Sequence, residues 1–81
     1  MEHAITERLT GVFRSIFNNR EIQIARSTTA DDIRGWDSLM HINLIVAVEK
    51  EFRVRFTTLE VMSMNNVGDL LDTISAKCNP A

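Results

Sequence analysis

The chain has 81 residues, 44% hydrophobic and 25% charged, with a formal net charge of −2. That length suits a single domain over residues 1–81 with a small core, and the composition is that of an ordinary soluble globule. The slightly acidic balance argues against a nucleic-acid binder, the lone Cys78 excludes an internal disulfide, and no apolar run is long enough to span a bilayer.

Residues 3–18 carry Ile5, Leu9, Val12, Phe13, Ile16 and Phe17 at i, i+4, i+7, i+8, i+11 and i+12, which predicts an amphipathic helix. Gly11 costs that helix about 1 kcal/mol relative to Ala, and Asn18-Asn19 is a plausible stop. A long connection follows, from Arg20 to Trp36. Ile22 and Ile24 alternate with polar residues, so its start reads as briefly extended; Ser27-Thr28-Thr29 is turn-prone, and Thr29 and Asp32 have the spacing of a short helical cap. Ile33 and Trp36 are the expected anchors of this loop.

The stretch from Gly35 to Phe52 organises the chain. Asp37 can cap a helix, accepting a backbone N–H two or three residues on while sitting at the positive end of the helix dipole. Ser38 then falls at the first helical position, where its hydroxyl projects beside uncommitted backbone N–H groups, a place that tolerates a phosphate-bearing group. From Leu39 to Val48 there is no formal charge. A buried strand is the competing reading of such a run. Its continuation through Ala47 and Glu49-Lys50-Glu51, its length, and the recurrence of Leu44, Val48 and Phe52 favour a helix. At about 100° per residue, His41, Leu44, Ile45, Val48 and Phe52 share one face, and Leu39, Ile42 and Val46 share another. One stripe serves the core; the second is either more core or a docking surface beside Ser38.

Beyond this helix, Phe52-Arg53-Val54-Arg55-Phe56 reads as a short extended link and Glu49-Lys50-Glu51 as a solvated helix end. Thr57-x-x-Glu60 is a capping box that opens a short helix through Val61 and Met62. Asn66-x-x-Asp69 starts a last helix with Val67, Leu70, Leu71 and Ile74 on its inner face, ended by Asn79-Pro80. Three longer helices, one short helix and short late connections imply an all-α, four-helix bundle.

Trp36-Asp37-Ser38-Leu39, followed by a largely apolar helix that ends Glu-x-Glu-Phe, resembles the acyl carrier proteins. The resemblance extends over roughly residues 4–77 and accounts for the long first loop. It implies that Ser38 carries 4′-phosphopantetheine, attached by a separate phosphopantetheinyl transferase from coenzyme A with Mg²⁺. It also implies that an acyl group rides on the arm's thiol as a thioester, between acyl-loading and acyl-processing enzymes of a fatty-acid, polyketide or other specialised biosynthetic pathway. The lone Cys78 and the lack of a visible N-terminal signal pattern point to the cytoplasm. The implied protein is a monomeric carrier and not an enzyme. Better-known members place acidic residues early in this helix, where this chain has Met40 and Asn43. Partner contacts are therefore expected to be led by Trp36, Asp37, Leu39, Met40, Ile42 and Val46, with Val61 and Met62 from the short helix, and to weaken only mildly with salt. Trp36 and Met62 could instead be core.

Three other readings compete. A serine hydroxyl is a poor nucleophile without a base, and His41 falls on the core-facing stripe, so a self-contained Ser-His enzyme is not expected. An aminoacyl or peptidyl carrier usually has Gly where Trp36 stands, and an unmodified helical interaction module would leave Ser38 bare. His3, His41 and Cys78 lack metal-ligand spacing, and Cys78 reads as an incidental thiol.

Overall fold

A computed structural model describes residues 2–78 and contains four α-helices: α1 (Glu2–Ile16), α2 (Ser38–Phe52), α3 (Thr58–Met62) and α4 (Val67–Cys78). A single 3-10 turn, Ala30–Asp32, interrupts the loop between α1 and α2, and no strand occurs among the described residues. Three helices are long and one is short, as the sequence predicts.

The apolar repeat of α1 is met by the inner stripe of α2 and by α4. Leu9, Val12 and Phe13 pack with Leu44, Ile45, Val48 and Phe52, and with Val67, Leu70, Leu71 and Ile74. Phe13, Leu44, Val48 and Ile74 lose all contact with solvent. Burying a side chain of this size contributes about 1.5–3 kcal/mol, which is why the stripes at helical spacing decide the architecture. α1 ends at Ile16, two residues before the expected limit, because Asn18 turns into the left-handed region at φ 51°. Asn19 N–H then donates to the Arg14 carbonyl at 3.0 Å, which uses one of the helix's last free acceptors. The turn is thus made at the expected Asn18-Asn19 stop.

The long loop is held in place at several points. Ile22 and Ile33 are buried, Ile24 and Trp36 are half-buried, and Arg14 Nε donates to the Ile22 carbonyl at 2.8 Å. The loop also caps α4. The amides of Val67 and Gly68 are first-turn donors with no partner inside their own helix; they donate to the carbonyls of Thr28 (2.8 Å) and Arg26 (2.9 Å). Thr28, buried, accepts from Ala25 N–H through Oγ1 at 2.9 Å, and Arg26 ion-pairs with Asp72 at 2.8 Å. At the 3-10 turn the Asp32 carboxylate accepts from Thr29 N–H at 2.9 Å, the cap foreseen from the spacing.

The later caps form as read. Thr57 N–H donates to Glu60 Oε1 at 2.8 Å and Glu60 N–H donates to Thr57 Oγ1 at 3.1 Å. Asp69 N–H donates to Asn66 Oδ1 at 2.8 Å. The acidic end of α2 needs correction: it is not simply solvated. Glu49 is half-buried and accepts from Phe56 N–H at 2.9 Å, while Glu51 pairs with Arg8 of α1 at 3.0 Å, with the Arg8 guanidinium 4.5 Å from the Phe52 ring centre. The expected stop at Asn79-Pro80 lies outside the described residues.

Candidate functional site

The site is built where the first loop feeds into α2. Gly35 holds φ 91°, a conformation that costs a residue with a side chain but not glycine. It swings Trp36 back onto α1, where the indole meets Phe13 edge-on at 5.2 Å between ring centres and Phe17 at 6.2 Å. Asp37 then caps α2, accepting from Met40 N–H at 2.9 Å. Ser38 is the first residue of α2 and is exposed, and its hydroxyl has no hydrogen-bond partner among the described residues.

One turn on, His41 ties the site together. The indole Nε1–H of Trp36 donates to His41 Nδ1 at 3.2 Å, and the two rings stack at 5.9 Å. An indole N–H can only donate, so Nδ1 is the acceptor and the imidazole proton sits on Nε2. From there it reaches the Val61 carbonyl at 3.3 Å. The strap runs from loop to α2 to α3, and it commits both ring nitrogens.

A cleft of about 310 Å³ opens beside Ser38, walled by Trp36, His41, Val61, Met62, Met64 and Leu70 and lined also by Asn65 and Asn66. Outside the cleft the second stripe of α2 faces solvent: Leu39 is 71% exposed, Ile42 54% and Val46 43%. From α3, Met62 (78%) and Leu59 (76%) are more open still. The ambiguity over the second stripe therefore resolves as surface, and Met62 is not core. Trp36 and Val61 are half-buried and form walls, and Met40 is half-buried with its sulfur 3.7 Å from Asn43 Nδ2. Leu59, Met64 and Asn65 escaped the sequence reading, which gives Asn66 only as the cap of the last helix and not as part of this site. For Leu59 a signal existed, since the Thr57 cap places it three residues from Met62 on one helical face. The other three sit where α3 runs into α4, and only the packing of those helices brings them to Ser38.

His3, His41 and Cys78 do not converge, and no group of three or more His, Cys, Asp or Glu among the described residues could hold a metal ion. No described helix is long and apolar enough to cross a membrane.

Comparison with known proteins fits this geometry. The family model described as "Phosphopantetheine attachment site" matches residues 7–74. The solution NMR structure of a holo acyl carrier protein from Geobacter metallireducens is similar, with 42% identity and a TM-score of 0.84. The match covers 89% of this chain and 83% of that one. No curated protein matches.

Proposed function

This chain belongs to the acyl carrier protein family, whose members hold 4′-phosphopantetheine covalently and act as carriers and not as enzymes, and we propose that Ser38 is the attachment point. The observation that carries the assignment is the placement of Ser38: an exposed hydroxyl at the start of a capped helix, unbonded, at the mouth of a cleft. The site fits the group. The hydroxyl is open to an incoming transferase, and the cleft beside it is lined mainly by apolar residues, with Asn65 and Asn66 also in its lining.

The chain's own residues position this oxygen and leave it unactivated. Asp37 fixes the first turn of α2, so Ser38 is held in one place. His41, the nearest candidate base along the helix, already uses Nδ1 for Trp36 and Nε2 for Val61. A serine without a base is a weak nucleophile. The proton of Ser38 is accordingly removed by a separate phosphopantetheinyl transferase acting with coenzyme A and Mg²⁺. Once attached, the arm supplies a terminal thiol that holds an acyl group as a thioester.

In this reading the protein is a single-domain, monomeric carrier that delivers acyl groups between loading and processing enzymes of a fatty-acid, polyketide or related specialised pathway. Tethering replaces free diffusion by a high effective concentration at each partner. The 42% identity to a protein described as an acyl carrier supports acyl over aminoacyl cargo. The exposed Leu39, Ile42, Val46 and Met62 support partner docking led by apolar contact, with Asp37, Met40, Trp36 and Val61 at its edges.

The test is incubation with coenzyme A, Mg²⁺ and a broad-range transferase, followed by intact mass. Wild type gains one phosphopantetheine and Ser38→Ala gains none. Wild type that stays unmodified with several transferases, or a Ser38→Ala chain that is still modified, would refute the assignment.

A further inference from the structure

The outer face of α2 changes character along its length. Leu39, Ile42 and Val46 make it apolar near Ser38. At the far end stand Lys50, Arg53 and, on the link to α3, Arg55, which with Val46 line one shallow depression. All three are exposed, and none of their charged side-chain groups has an ion-pair or hydrogen-bond partner among the described residues. Arg8, Arg14, Arg26 and Lys77, by contrast, are each engaged, with Glu51, the Ile22 carbonyl, Asp72 and Glu60. The acids of α2 do not cancel this charge. Glu51 pairs with Arg8 of α1, and Glu49, which reaches the same depression and accepts from Phe56 N–H, offsets only one of the three cations, so the depression stays net positive. The first turn of α2 carries no acid.

We infer that this face docks a partner protein whose complementary surface is an apolar pocket with acidic side chains at the end farthest from the Ser38 site. The inference rests on the carrier reading only for the partner's role; the face and its charge are properties of the chain itself. Helical rise sets the distance from Leu39 to Arg53 at about 20 Å, so one partner surface spans both zones and the cations fix which way round it sits. Charges at the edge of an apolar contact select partners and orient them more than they add affinity. An anionic membrane is the poorer occupant. The Asp37 carboxylate is exposed at the apolar end of the face, the chain is net negative, and Asn43 lies on the same face as Leu39 and Val46.

The probes are two short synthetic helical peptides with the same leucine face, one ending in three Glu and one in three Lys, and vesicles of phosphatidylglycerol with phosphatidylcholine. Binding to the isotopically labelled full chain is followed by NMR. The Glu peptide is expected to bind about fivefold to tenfold tighter than the Lys peptide at low salt. It should shift the amides of Val46, Lys50 and Arg55, and its advantage should fade at high salt while apolar binding persists. The double variant Lys50→Glu, Arg55→Glu, which leaves the left-handed Arg53 untouched, should reverse the preference. Equal binding of the two peptides, a preference for the Lys peptide, or shifts on this face caused by the vesicles and not by the Glu peptide would overturn the inference. Transferase modification is measured on the same samples. A chain that accepts the arm but shows no acid preference refutes the docking inference alone, and one that shows the preference but never accepts the arm refutes the carrier reading alone.

Discussion

Leu44, Ile45, Val48 and Phe52 on one side of α2, and Leu39, Ile42 and Val46 on the other, come from the same apolar repertoire. The first set is buried against α1 and α4 and the second faces water. Up to Val48 the helix thus carries apolar residues on both its inner and its outer side, an outward exposure that a surface helix ordinarily avoids unless its outer side has work to do. Hydrophobicity alone assigns neither role; the difference lies in what the rest of the fold puts opposite each stripe.

Cutting into each side should separate them most sharply. Leu44→Ala is expected to cost about 2–5 kcal/mol, because its cavity lies in a fully enclosed core. Ile42→Ala should stay within about 0.5 kcal/mol, since the side chain is more than half exposed. Denaturant titration reads both, and a large loss for Ile42→Ala would erase the distinction. Two glycines test the same contrast of closed and open space. A methyl at Gly68 would stand 3.0 Å from the Arg26 carbonyl, whose bond to the Gly68 amide holds the loop to α4. Gly68→Ala should therefore destabilise by about 1–3 kcal/mol. Gly11, in α1, has nothing within 4 Å of its missing methyl, and Gly11→Ala should stabilise by about 1 kcal/mol.

A smaller effect is expected at the strap. His41→Phe keeps a ring beside Trp36 but leaves the indole N–H and the Val61 carbonyl without this partner, a loss of about 1 kcal/mol. Amide exchange should show it concentrated in α3, with the inner face of α2 still protected. Smallest is the response to acid. The Thr57 N–H and then the Lys77 ammonium hold the Glu60 carboxyl below its ordinary value of 4.5, and the Arg26 guanidinium holds Asp72 below 3.8. Depressed values mean that the stabilisation is present above those pH values and is lost as pH falls through the folded ones. Melting curves should show a slight loss below about pH 4.5, led by α3, and Glu60→Gln should flatten its part of it.

These contrasts mark what could be read in the chain. The caps at Thr57 and Asn66 were legible because a cap is local: donor and acceptor lie three residues apart, and spacing specifies them. The division of α2 into two stripes was legible from helical period. That the second stripe stays outside was not, because that depends on α1 and α4 both arriving on the side of the first. Glu51 looked solvated because its partner, Arg8, is 43 residues away. The role of Thr28 was hidden for the same reason, since its carbonyl serves an amide at the start of another helix. At the site, Ser38 and its cap were legible in four consecutive residues, whereas Met64, Asn65 and Asn66 reach it only through the junction of α3 with α4.

The strap has a practical corollary. The protein has a single Trp, and its indole borders the cleft while bonded through an imidazole to the backbone of α3. Any guest that fills that space, or any outward swing of the short helix, must alter the polarity around one fluorophore. The molecule therefore contains its own optical gauge of occupancy, readable by emission wavelength without attaching a dye.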